Sequence, residues 1–192
     1  MEQLAQVIRQ MIQISESEMA ELLGFCTPAY FNNKALLSKP GEVPQEIFFI
    51  TKGLLRVIVT DVEGTDHSMH FALENQFIAD YSAFILKQPS LQTLQALEPM
   101  EVIIMPRVAI DWGYANLQQG DKLGRLIAEY YFIYQDHRIR NLYARTPMER
   151  YEALGQVFPN IQNRVPQHMI ASYLGMTPVH LSRLKKADRQ KI

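Results

Sequence analysis

Between Arg164 and Lys186 the chain reads RVPQHMIASYLGMTPVHLSRLKK, and its polar and cationic residues recur at a spacing that suits contact with a polyanion. Leu181 and Leu184 mark the inward side of a helix, so Val179, His180, Ser182, Arg183, Lys185 and Lys186 turn outward. Hydroxyl, imidazole, guanidinium and ammonium groups on one face are the groups that meet phosphates and base edges. The elements needed to hold that face are also written in the segment. Pro166 suits a helix start, and Met169, Ile170, Tyr173 and Leu174 form an inward face. Gly175 sits where that helix must end, since a residue without Cβ enters the left-handed region cheaply. Thr177 can cap the next helix with its hydroxyl, and Pro178 takes the first helical position, where a missing N–H costs nothing. The pattern predicts a helix-turn-helix whose second helix fits a DNA major groove. A plain helical hairpin inside another kind of domain would give similar local signals.

Charge distribution favours the first reading. The net charge is −1, but residues 1–137 hold 9 Lys+Arg against 17 Asp+Glu, while residues 138–192 hold 10 against 3. The positive charge is thus gathered beside the predicted helix-turn-helix, where phosphates would be met.

At 192 residues, 47% hydrophobic and 20% charged, the chain has the composition of one or two folded domains. No apolar run is long enough to span a bilayer, and the start MEQLAQVIRQ lacks a signal-peptide core, so a cytoplasmic location without membrane contact is expected. Cys26 is the only cysteine, which excludes an internal disulfide and an all-cysteine metal site within one chain.

Three periodicities divide the chain. Leu4, Val7, Ile8 and Met11, then Met19, Leu22 and Leu23, follow helical spacing, with Ser15 as a cap before Glu18. From Thr27 to about Pro106 the pattern turns to short β-prone runs: Ala35–Leu37, Ile47–Thr51, Leu54–Thr60, His67–Leu73, Gln92–Leu97 and Glu101–Met105. Turn signals at Lys39-Pro40-Gly41, Lys52-Gly53 and Glu63-Gly64 separate them, with a helical interruption at Asp80–Leu86. This predicts a small antiparallel barrel or roll. From Leu117 to about Ala144 a long helix is expected, and Leu123, Leu126, Tyr130, Ile133 and His137 alternate three and four apart as the seam of a two-stranded coiled coil. Ile127 and Tyr131 lie off that seam and would pack on the roll. A helix packed only within its own chain is the alternative. Thr146-Pro147 breaks the pattern before a further helix at Met148–Phe158.

His67, His70 and Glu74 invite comparison with a metal-binding cupin, which makes a metalloenzyme the alternative from another class. Residues three apart on a strand point to opposite faces, so the two histidines share a metal only if a bulge intervenes. No Ser-His-Asp order, glycine-rich phosphate loop or spaced carboxylate pair is present. No catalytic residue, metal ligand or cofactor is expected.

A roll, a long helix and a terminal helix-turn-helix, in that order, resemble the Crp/Fnr family of transcription regulators. The segment ISESEMAELLGFCTPAYFNNKALLSKPGEVPQEIFFITKGLLRV resembles the family's approach into its cyclic-nucleotide-binding roll, with Gly41, Phe49-Ile50 and Gly53 near expected turns and strands. TPMERYEALGQVFPNIQNRVPQHMIASYLGMTPVHLSRLKK resembles a subgroup with an IASYLG-type first helix and a TP-x-x-LSR recognition helix. The resemblance implies that Arg183 is the base-reading arginine, able to donate two hydrogen bonds to a guanine edge. It places Gln167 and Thr177 near phosphates, His180 and Ser182 as base or backbone contacts, and Lys186 on a phosphate. Pro178 and Val179 stand where relatives carry polar readers, so the operator sequence does not transfer. Ile192 follows Lys186 by six residues, which leaves no room for a winged hairpin, and a wingless domain is expected.

The family's nucleotide pocket uses a Gly-Glu pair for ribose and an Arg-Ser pair for the cyclic phosphate. Here Ala79-Asp80 and Ser90-Leu91 stand in their places. Without the arginine a buried phosphate loses its charge-assisted partner, at a cost of about 3–5 kcal/mol, so cyclic AMP is not expected to bind. Tyr81, Tyr130, Tyr134 and Gln135 are candidates, with Ala79, Asp80, Ser90 and Leu91, for lining a pocket for another effector, if the roll takes one at all.

The expected fold is therefore α+β. Residues 1–116 form N-terminal helices and an antiparallel β-roll of the cyclic-nucleotide-binding jelly-roll type, 117–145 a dimerisation helix, and 146–192 a helix-turn-helix domain. The expected activity is that of a homodimeric regulator on double-stranded DNA, with a small-molecule effector and RNA polymerase as further candidate partners. A ligand-binding or protein-interaction module with degenerate DNA binding is the other reading.

Overall fold

The computed structural model describes residues 1–189. Helices α1 (Glu2–Met11) and α2 (Glu16–Gly24) open the chain. The Ser15 hydroxyl accepts from the Glu18 amide at 3.2 Å, and the Glu18 carboxylate accepts from the Ser15 amide at 2.9 Å. This reciprocal cap explains why α2 starts where it does.

Eight strands follow: β1 (Thr27–Phe31), β2 (Leu36–Ser38), β3 (Glu46–Lys52), β4 (Leu55–Thr60), β5 (Asp66–Ala72), β6 (Phe77–Ile78), β7 (Thr93–Ala96) and β8 (Met100–Pro106). A short helix, α3 (Tyr81–Leu86), separates β6 from β7. One antiparallel sheet has the order β1-β8-β3-β6 and the other β2-β7-β4-β5. Their facing sides enclose Phe48, Ile50, Leu55, Val57, Leu94 and Val102. The six expected runs correspond to β2, β3, β4, β5, β7 and β8. β5 bulges at Met69, because Val57 pairs with His70 while Ile58 pairs with Ser68.

Helix α4 (Arg107–Asn116), which the apolar spacing does not announce, leads into α5 (Gly120–Ala144). Leu117, expected to open the long helix, instead ends α4, its amide donating to the Gly113 carbonyl at 3.1 Å. The corner closes tightly: a Cβ on Gly120 would lie 2.1 Å from the Gly113 carbonyl oxygen. α1, α2, α4 and the start of α5 cover the outer face of the β8–β3 sheet, sharing a core that includes Leu4, Ile8, Leu22, Phe49, Phe84 and Ile103.

The chain ends in α6 (Pro147–Val157), α7 (Ile161–Arg164), α8 (Gln167–Tyr173) and α9 (Pro178–Arg189). Thr146 and Glu149 cap α6 reciprocally, as Ser15 and Glu18 cap α2. Leu154, Phe158, Ile161, Val165, Ile170 and Leu181 form the third core, which Leu54 and Phe71 of the roll enter from outside the sheet. The C-terminal helices are therefore packed onto the roll of their own chain.

Candidate functional site

Two features carry candidate side chains: an exposed helical face at the C-terminal end and a cavity where the roll meets α4 and α5. In the first, α8 and α9 meet through a turn in which Gly175 has φ +65°. The amide of Met176 donates back to the Ala171 carbonyl at 3.0 Å, and that of Gly175 to Ser172 at 3.1 Å. These bonds satisfy the end of α8 and need the left-handed residue between them. The Thr177 hydroxyl accepts from the His180 amide at 3.2 Å and caps α9.

Leu181 is 1% exposed and anchors α9 against α8. Val179, Ser182, Arg183 and Lys186 follow one another at intervals of three, one and three residues, so they share the helix face opposite Leu181. All four are exposed, as are Gln167, Thr177 and His180. The structure thus brings five of the six anticipated contact residues together around α9, while Gln167 stands at the N-terminal end of α8.

The orientation of this face is set by contacts that sequence reasoning missed. On α8, the Ser172 hydroxyl accepts from the Ser68 amide of β5 at 2.9 Å. The Arg138 guanidinium of α5 donates to the carbonyls of Ser68 and Tyr173 at 3.3 and 3.4 Å and lies over the Tyr173 ring. The Tyr173 hydroxyl is 3.0 Å from that of Tyr134, which is 2.7 Å from Nδ1 of His70. Burial is the main cause of a His70 pKa lowered to about 3, with Arg138 adding to it. That imidazole is neutral at ordinary pH.

Below α8, Arg164 forks onto Glu74 with distances of 2.7 and 3.1 Å and also grips Glu98. Glu74 accepts a further bond from the Gly53 amide at 2.9 Å. Burial opposes ionisation of Glu74, but Arg164 and the amides outweigh it and lower its pKa; the two carboxylates raise that of Arg164. The bulge does not join His67 to His70: His67 pairs with Asp61 at 2.7 Å on the surface, and Glu74 is held by Arg164.

The second feature is a cavity of about 450 Å³ between the roll, α4 and α5. Of the anticipated pocket residues, Ala79, Asp80, Tyr81 and Gln135 line it. Asp80 is consumed structurally, accepting from the Ala83 amide at 3.2 Å as the cap of α3 and from the buried Ser90 hydroxyl at 2.8 Å. Leu91 is 79% exposed, Tyr130 faces outward on α5, and Tyr134 bridges His70 to Tyr173. His70, Tyr114 and Tyr131 also line the cavity. Ile127 and Tyr131 pack against the first core, as their position off the α5 seam predicts.

Along α5, Leu123 is buried and Leu126 half-buried against the roll, whereas Tyr130, Ile133 and His137 are exposed. Phe132, Ile139 and Tyr143 add further exposed apolar area on the outer side of the same helix.

Residues 29–115 match the cyclic nucleotide-binding domain family. No curated protein sequence matches the chain. Among solved structures it is similar to FixK2 from Bradyrhizobium japonicum, with 14% identity, a TM-score of 0.72 and coverage of 86% of this chain and 85% of that one. It is similar to the c-di-GMP-responsive global regulator CLP from Xanthomonas campestris, with 11% identity, a TM-score of 0.70 and coverage of 92% and 93%. A regulator of the Crp/Fnr family from Eubacterium rectale has 10% identity and a TM-score of 0.72, with 93% and 85% covered. The chain thus carries a roll of the cyclic nucleotide-binding domain family within the fold of the Crp/Fnr regulators.

Proposed function

We propose that the chain is a DNA-binding transcription regulator that acts as a homodimer. The observation that carries this reading is the exposed row of Ser182, Arg183 and Lys186 opposite buried Leu181 on a capped second helix. In a dimer, two such helices about 34 Å apart would enter successive major grooves of a two-fold site. Arg183 would read a guanine edge, and Thr177, Gln167 and Lys186 would hold phosphates. The exposed apolar residues of α5 support dimerisation along that helix, with Phe132, Ile133 and Ile139 as the contact. A cytoplasmic site of action follows from this reading, and it assigns no catalysis to the chain.

The roll is read as an effector domain that does not take cyclic AMP. Asp80 and Ser90 are bonded to each other, and Leu91 faces solvent. Selection of bound duplexes from a randomised pool tests the regulator reading. A recovered site with two-fold symmetry and half-sites one helical turn apart is expected; recovery of no preferred sequence would refute it.

A further inference from the structure

We propose that the cavity between the roll and α5 binds a small, uncharged, mostly apolar molecule whose one hydrogen-bonding group meets the buried imidazole of His70. The proposal rests on the reading of the roll as an effector domain and names the ligand chemistry for it.

At about 450 Å³ the cavity has the size of a small-molecule site. Its walls are apolar for most of their extent, with Ile47, Phe77, Ile110, Leu123 and Ile127 among them, and among the described residues no lysine or arginine lines it. An anion placed there would give up its hydration with no opposite charge in return. The one carboxylate on the wall among the described residues, Asp80, is 4% exposed and already accepts from Ala83 and Ser90, so it does not call for a cationic guest.

His70 is different. It lines the cavity and is 6% exposed, and its Nδ1 is taken by the Tyr134 hydroxyl. Its Nε2 has no hydrogen-bond partner among the described residues and no surface open to the cavity, so a ligand meets it only once the ring tips toward the cavity. A buried polar atom left unpaired is costly, and a ligand that supplies the partner removes that cost. Because burial keeps the ring neutral, Nε2 offers a neutral donor or acceptor, depending on which way the Tyr134 bond runs. A hydroxyl or a secondary amine on an apolar body matches both the walls and this atom. The contact would also adjoin the bonds from His70 through Tyr134 to Tyr173, and so reach the helix-turn-helix.

N-phenyl-1-naphthylamine is an uncharged, largely apolar fluorophore with one N–H, and it serves as the test ligand on the full chain. Saturable fluorescence at one site per chain, with micromolar affinity, is the expected result. Ala128→Phe fills the cavity from α5 and Ala79→Leu fills it from the roll; each should weaken binding at least about tenfold, while His70→Phe, which keeps the apolar volume, should weaken it about threefold to tenfold. Thermal melts show which filling variant retains the fold, and the one that does decides the point. Non-saturable fluorescence, undiminished affinity in a folded filling variant, or displacement of the fluorophore by micromolar cyclic AMP or cyclic GMP would overturn the proposal. Duplex binding measured on the same samples separates the two readings. A chain that binds DNA but not the fluorophore refutes the cavity assignment alone, and the converse refutes the regulator reading alone.

Discussion

The hydroxyl oxygens of Tyr134 and Tyr173 lie 3.0 Å apart, tying the long helix α5 to the first helix of the helix-turn-helix. Both rings pack on Phe158, at centroid distances of 6.4 and 5.3 Å. Rotation of α5 relative to the roll would therefore pull on α8 through a contact that is both polar and aromatic. Tyr173→Phe keeps the ring and removes one hydroxyl, and should lower the unfolding free energy by about 0.5–1.5 kcal/mol. Tyr134→Phe also removes the bond to Nδ1 of His70 and should cost more, and the double variant should cost less than the sum, because the Tyr134–Tyr173 bond is lost in both single variants. Urea denaturation of the four proteins checks this; strict additivity would show that the two hydroxyls do not interact.

Arg164 joins the C-terminal helices to the roll through Glu74 and Glu98, with the three side chains 24%, 34% and 31% exposed. Arg164→Ala leaves two half-buried carboxylates facing each other and should cost about 1–2 kcal/mol, solvent screening included. Glu74 has a folded pKa below its ordinary 4.5. Its contribution is full above pH 4.5 and is lost as pH falls through the lower folded value. Glu74→Gln should flatten that part of the acid limb in denaturation curves. An acid limb of unchanged slope below pH 4.5 would contradict the assignment.

His70 gives a separate window. Its pKa is 6.5 when unperturbed and about 3 in the folded chain, so the unfolded state binds a proton that the folded state refuses between those values. Stability is greatest above pH 6.5 and falls with acidification until about pH 3, by about 2 kcal/mol between pH 7 and pH 5. His70→Phe should remove this slope. Denaturation midpoints across pH 5–7 that move equally in both proteins would contradict it.

Ile133 and Phe132 are 52% and 74% exposed on α5, where an apolar surface invites a second copy. Ile133→Glu and Phe132→Glu should leave the fold intact and convert dimer to monomer in sedimentation, because a buried interfacial carboxylate has no partner there. A dimer of unchanged affinity in both variants would place the interface elsewhere.

The helix-turn-helix was legible because each local choice agrees: Gly175 at the turn, Thr177 and Pro178 at the next start, Leu181 inward. The strands were legible as β-prone runs between turn signals, down to the three residues of β2. β6, with only Phe77 and Ile78, is too short to show a period, and β1 is too exposed. The docking of α8 on β5 left no trace in the helical pattern, since Ala171 and Ser172 occupy a flank that an isolated hairpin would leave in water. His70 was likewise visible only as one half of a His-x-x-His spacing. Its pairing with Tyr134, 64 residues away, exists only once α5 crosses the roll.

The most direct test of the central claim is a salt titration of binding to the selected two-fold duplex, read by fluorescence anisotropy for the parent and for Arg183→Ala. With three phosphates held by each subunit, affinity should fall about a thousandfold between 50 and 200 mM salt. Arg183→Ala should lose about 1–3 kcal/mol on the selected duplex, with a near-unchanged salt slope and weaker preference over a scrambled one. Binding that does not respond to salt, or an equal loss on both duplexes, would contradict base reading by α9.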